Sequence, residues 1–173
     1  MQKGLLMVFT GNGKGKTTSA LGLSMRSAGH GLKVCFIQFI KGGWNCGELN
    51  AVDRFKDVID FYVMGRGFTW QSEDLEKDKV LGREAWEFAQ SAMASGEYHL
   101  VVLDEFTYIL NYGGLDKQNV LQALKNKLSA LNIAITGRDA SDELMAAADL
   151  VTELRESKHP FNAGIKAQKG IEF

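Results

Sequence analysis

One segment constrains this chain more than any other: Thr10-Gly11-Asn12-Gly13-Lys14-Gly15-Lys16-Thr17-Thr18. Three glycines alternate with other residues, then a lysine and two threonines follow, all between an apolar run and a stretch of helix formers. Glycine lets successive backbone N–H groups turn inward to phosphate oxygens. A helix N-terminus adds the positive end of its dipole, Lys16 adds a charge, and Thr17 offers a hydroxyl to Mg²⁺. The segment reads as a P-loop cradling a triphosphate, with Gly11, Asn12, Gly13, Lys14, Gly15, Lys16, Thr17 and Thr18 as binding residues. The alternative is a glycine-rich strand-to-helix turn beside a solvated lysine. The loop is one residue short, because the first glycine of G-x-x-x-x-G-K-T falls at Thr10. Gly11 can start the turn instead, and the orientation of the nucleotide stays open.

A P-loop needs a strand before it and a helix after it, and the rest of the chain has that alternation. Apolar runs at 5–10, 34–40, 58–64, 100–103, 133–136 and 150–154 read as strands, mostly continuous rather than alternating, as in a parallel sheet buried on both faces. Helical periodicity covers 16–27, 73–94, 118–128 and 141–148. The expected fold is α/β, a single P-loop NTPase-like (RecA-like) domain over 1–173. Its mostly parallel sheet of about six strands carries helices on both faces. In such a sheet the ligand lies outside the carboxyl ends of the strands. The 19 glycines, about 11% against an average near 7%, cluster after the first three runs.

Composition removes several classes of function. With 20 basic and 21 acidic residues the chain lacks the charge excess of a nucleic-acid binder or a membrane-surface protein. No apolar run approaches the roughly 18 residues of a membrane span, and the opening residues are too short for a signal peptide, so a cytoplasmic protein is expected. Cys35 and Cys46 make no disulfide framework, and without CxxC no structural zinc site is expected.

Val101-Val102-Leu103-Asp104-Glu105 is an apolar strand ending in two acids, the pattern of a Walker B segment. Asp104 and Glu105 join Thr17 as candidate metal ligands. In a hydrolase Glu105 would instead polarise water, and acids also end strands merely as helix caps. Gly65-Arg66-Gly67-Phe68-Thr69-Trp70 and Lys41-Gly42-Gly43-Trp44 put large aromatics in loops. Phe68, Trp70 and Trp44 either wall a large flat ligand or tuck into the core. Arg138, at the end of the fifth strand, meets phosphate or a carboxylate of the ligand, or is a surface arginine. His159, before Pro160, reads as a hydrogen-bonded turn residue with no catalytic role.

Together these segments resemble the P-loop corrinoid adenosyltransferases. The resemblance rests on 11–18, on Gln38-Phe39-Ile40-Lys41-Gly42, Gly67-Phe68-Thr69-Trp70, Leu103-Asp104-Glu105 and Thr136-Gly137-Arg138, on Asp149-Leu150-Val151-Thr152-Glu153, and on the tail, Lys158-His159-Pro160-Phe161 with 164–172. It implies transfer of the 5′-deoxyadenosyl group from ATP to the Co(I) of cobalamin or a cobinamide-type precursor, with release of triphosphate. Lys16 and Arg138 are then the catalytic pair, and Mg²⁺, or Mn²⁺ in its place, is the metal. Phe68 and Trp70 face the corrin and keep water and the lower axial base off cobalt. A flavoprotein reductase would supply electrons, and a homodimer is one assembly open to it. The rivals are a P-loop ATPase, a small-molecule kinase and a corrinoid carrier without chemistry. The kinase usually brings an arginine-rich lid, which the sequence lacks.

Overall fold

The computed structural model describes residues 3–40, 47–65, 75–112 and 114–172. Along them run β1 (Leu6–Thr10), α1 (Lys16–Gly29), β2 (Val34–Gln38), α2 (Gly47–Val52), β3 (Ile59–Val63), α3 (Leu75–Ala94), β4 (Leu100–Asp104), α4 (Phe106–Asn111), α5 (Lys117–Lys125), β5 (Asn132–Thr136), α6 (Asp142–Ala147) and β6 (Leu150–Glu153). Two 3₁₀ turns lie at Asp53–Phe55 and Pro160–Ala163. The strands make one sheet in the order β3-β2-β4-β5-β1-β6, and every neighbouring pair is parallel. The expected α/β class and six strands are found, and the sheet is parallel throughout.

Continuous apolar runs suit the four inner strands because both of their faces are covered. Along β4, Val101 and Leu103 join a core with Trp86, Ala89 and Met93 of α3, Phe106 of α4 and Leu124 of α5. Leu100 and Val102 point the other way, into a core with Ala20 and Leu21 of α1, Val52 and Phe55. Each such side chain contributes about 1.5–3 kcal/mol when fully buried, so the central strands carry much of the stability. Rings interlock across the first core, with Trp86 and Phe106 stacked at 5.1 Å. Cys35 is buried in β2, and burial pushes its thiol up to about 12, which leaves it unreactive. Cys46 lies outside the described residues.

Two helices depart from the expected pattern. α2 falls in the segment after β2, and α4 follows β4 with a single residue, Glu105, between them. The helix expected over 118–128 stops at Lys125, capped at its start by Asp116, whose side chain accepts from Asn119 N at 2.8 Å. Among the described residues no helix is long and apolar enough to cross a membrane.

The strand order gathers three loops. β4, β5 and β1 are consecutive neighbours, so the segments that leave their carboxyl ends meet at one edge of the sheet. β2 stands beside β4, with Gln38 level with Asp104.

Candidate functional site

The loop between β1 and α1 is moored to the exit of β6. Leu154 N donates to Thr10 O at 2.8 Å, and Gly13 N donates to Leu154 O at 2.7 Å. Backbone lies so close that a Cβ on Gly13 would stand 2.8 Å from Leu154 O, and Gly11 and Gly15 take φ of 94° and 109°. These are places for glycine alone. Gly15 caps the 14-residue α1 with no side-chain hydrogen bond, which leaves the first amides of the helix facing the loop.

Lys16 Nζ folds back over this loop, donating to Gly11 O at 2.8 Å and Gly13 O at 2.7 Å. Burial holds its ammonium below the ordinary lysine value, with Arg138 acting the same way and Glu105, Asp104 and Asp139 opposing. An ammonium kept against desolvation and a neighbouring guanidinium is poised to receive an anion. Lys14 forms an ion pair with Glu172. Asn12 and Thr18 are exposed, and Thr17 is half-buried.

The two acids expected at the end of β4 lie beside this loop but are not equivalent. Asp104 is fully buried, accepting from Thr136 Oγ1 at 2.6 Å on one oxygen and from Gln38 Nε2 at 3.2 Å on the other. Glu105 takes the left-handed conformation, φ 60°, and faces the cavity. Beyond β5, Gly137 has φ 143°, and a Cβ there would overlap the Thr107 hydroxyl, which donates to Arg138 O at 2.6 Å. α4 therefore packs directly on the backbone that presents Arg138, whose exposed side chain reaches the same cavity.

That cavity, about 610 Å³, has two unlike ends. One is lined by Lys14, Lys16, Thr17, Glu105 and Arg138. The other is apolar, between Leu21 and Met25 of α1 and Val52 and Phe55 after β2, and the tail residues Gly170, Ile171 and Glu172 form a further wall. The geometry thus brings Lys16, Thr17, Glu105 and Arg138 together, with Asp104 behind them. Phe68, Trp70 and Trp44 lie outside the described residues. His159 Nδ1 accepts from Phe161 N at 3.1 Å, as a turn residue does. Sequence reasoning did not single out Gln38, Thr136, the apolar end or Glu172 as site residues. The clue at hand was a polar side chain closing each of two apolar strands, at Gln38 and Thr136.

A Mg²⁺ ion fits the donors present. Among the described residues no three His, Cys, Asp or Glu side chains gather into a cage. Two carboxylates and a hydroxyl beside a phosphate loop form the sparse oxygen set of an ion that arrives with its nucleotide and keeps part of its water.

Comparison with known proteins gives the family of the chain. The family model for "ATP:corrinoid adenosyltransferase BtuR/CobO/CobP" matches residues 2–173. The chain is 44% identical to the corrinoid adenosyltransferase of Escherichia coli (strain K12), over 99% of this chain and 87% of that protein. It is 43% identical to that of Pseudomonas aeruginosa, over 99% and 85%, and 41% identical to corrinoid adenosyltransferase CobA of Salmonella typhimurium, over 99% and 87%. Among solved structures, the flagellar accessory protein FlaH from Methanocaldococcus jannaschii superposes with a TM-score of 0.64 at 9% identity, covering 88% of this chain and 72% of its own. That likeness concerns the fold alone.

Proposed function

Since the chain belongs to the ATP:corrinoid adenosyltransferase family, we propose that the two-ended cavity is where the adenosyl group passes from ATP to the corrinoid. In this reaction the electron pair of Co(I) attacks the ribose 5′ carbon. The bond from that carbon to the α-phosphate oxygen breaks, its electrons leave with the triphosphate, and a cobalt–carbon bond forms.

The observation that carries the reading is the contrast between the cavity's ends. A leaving group of about four negative charges needs fixed positive charge and aligned amides, and the cationic end supplies both through Lys16, Arg138, Lys14 and the amides of 11–15. The apolar end suits the nucleoside that the triphosphate leaves behind. Lys16 and Arg138 act on the leaving group in this reading, and no base or attacking water is needed. Thr17 and Glu105 hold Mg²⁺, or Mn²⁺ in its place, with Asp104 behind them. The ion supplies further neutralisation of the triphosphate charge. Phe68 and Trp70 face the corrin and exclude water and the axial base, which makes reduction to Co(I) easier.

The chain acts as one domain, 1–173, in the cytoplasm, with a flavoprotein reductase as electron donor and a homodimer as its assembly. Cobalamin and its cobinamide-type precursors are both acceptors of the right chemistry. Against a kinase stands the single arginine, Arg138, among the described residues of the cavity lining.

Anaerobic incubation with ATP, Mg²⁺ and chemically reduced cobalamin tests the proposal. The expected products are the adenosylcobalamin spectrum and inorganic triphosphate in equal amounts. ADP and phosphate without the spectral change would replace it with an ATPase.

A further inference from the structure

The last turn of β4 sets an unusual demand on the backbone. Glu105 sits at φ 60° and ψ 22°, a left-handed conformation that side chains other than glycine seldom adopt, and it is the residue through which β4 passes directly into α4. Something must hold it there. Its backbone N–H donates to Thr136 Oγ1 at 2.9 Å, across from the end of β5.

The same hydroxyl has a second bond, and its chemistry fixes both directions. A backbone N–H can only donate, so Thr136 Oγ1 accepts from Glu105. Its one hydrogen is then free to go to Asp104 Oδ1 at 2.6 Å, which accepts it. Gln38 Nε2 donates to the other carboxylate oxygen at 3.2 Å. Thr136, Asp104 and Gln38 are 0%, 0% and 1% exposed, so water does not compete for these bonds. One hydroxyl thereby ties the side chain of one acid to the backbone of the next.

We propose that Thr136 is a positioning residue that holds Glu105 in its left-handed turn and the Asp104 carboxyl group in its hydrogen-bonded orientation, and so sets the metal affinity of the site. The inference rests on the reading of Glu105, with Asp104 behind it, as the acid that holds the metal with the triphosphate. Thr136 acts through them. Without the hydroxyl, Glu105 can relax to a commoner backbone conformation, which swings its carboxylate away from the loop that holds Lys16, and Asp104 loses the donor that fixes its plane.

The test is Thr136→Val, which keeps the shape and removes the hydroxyl, against Thr136→Ser, which keeps the hydroxyl. Thr136→Ala replaces the valine variant if that one fails to fold by circular dichroism. Binding of Mn²⁺ is read by electron paramagnetic resonance on enzyme with ATP and no corrinoid, so the readout does not depend on turnover. The hydroxyl-free variant should bind Mn²⁺ about 10-fold or more weakly, the usual scale for losing a group that orients a metal ligand, and Thr136→Ser should stay close to wild type. With chemically reduced cobalamin, kcat should fall in the hydroxyl-free variant while KM for the corrinoid holds. Unchanged Mn²⁺ affinity in that variant overturns the proposal, as does equal weakening in the serine variant. Glu105→Gln, measured beside them, separates the two levels. If it also leaves Mn²⁺ affinity unchanged the metal reading itself fails, and if it alone weakens binding only the role of Thr136 fails.

Discussion

Glu172 reaches back across 158 residues of sequence to pair with Lys14 in the phosphate loop. The tail is thus part of the site's wall, since Gly170 and Ile171 line the same cavity. The pair is partly solvated, with 44% of the lysine side chain and 23% of the glutamate side chain exposed. It is therefore worth no more than about 0.2–1 kcal/mol.

A carboxylate on Lys14 competes with any phosphate oxygen for the same ammonium. Glu172→Gln should therefore tighten binding of inorganic tripolyphosphate by about 1.5- to 5-fold, the fold-change equal to the worth of an exposed pair. Titration calorimetry on the two proteins reads it directly. Weaker binding in the variant would mean that Glu172 shapes the wall and does not compete for the lysine.

The two acids of β4 should separate when each is cut to alanine. Asp104→Ala leaves the Thr136 hydroxyl and the Gln38 amide without their acceptor in a fully buried place. Buried groups stranded in this way cost about 1–3 kcal/mol each. A loss near 3 kcal/mol lowers Tm by roughly 6–12 °C in a chain of this size. Glu105 faces the cavity, so Glu105→Ala should leave Tm within a few degrees while abolishing most of the metal dependence of transfer. Thermal unfolding without nucleotide checks the first half, and a Mg²⁺ titration of the rate checks the second. Equal losses of Tm would contradict the division of roles.

Legibility in the sequence tracks the range of the interactions. The phosphate loop and the acidic strand end are local chemistry, so Gly11, Gly13, Gly15, Lys16, Thr17, Asp104 and Glu105 could be picked out before any fold was known. The six strands were legible too, because burial on both faces writes itself as unbroken apolar runs. Their ends were less so. The run at 34–40 continues past β2 because Phe39 and Ile40 are buried after the strand has ended at Gln38. α4 was hidden since Glu105 alone turns the chain from strand to helix, and its six residues are too few for a periodicity to show. α2 has six residues, too few for a periodicity to show.

The supports of the site were illegible for a different reason. Gln38 and Asp104 are 66 residues apart, and Thr136 and Asp104 are 32 apart. They meet only because the sheet places β2 and β5 on either side of β4. Sequence spacing carries no trace of that order. The apolar end has the same origin, as α1 and the segment after β2 come together only on one face of the sheet.

Lys16 provides the last test, through pH. Its ammonium lies below the ordinary value of 10.5, chiefly through burial and next through Arg138. Binding of a triphosphate brings negative charge to the ammonium and raises that value again, so binding takes up a proton once the free enzyme has begun to lose it. Affinity should therefore be flat near neutrality and fall as pH rises through the lowered value of the free enzyme. The fall should begin earlier than for an ordinary lysine and level off once the bound form also titrates. A charged contact of this kind is worth about 1.5–3 kcal/mol, so the full fall is roughly 10- to 150-fold. The measurement is tripolyphosphate affinity from about pH 7 to about pH 10 for wild type and Lys16→Ala, within the range where lysines titrate. The variant should be folded, weak at all pH values, free of this fall and unable to transfer the adenosyl group, since the lysine is the first residue of α1 and its side-chain contacts are with the loop carbonyls. A wild-type profile flat to the alkaline end, or the same fall in the variant, would remove Lys16 from the triphosphate site.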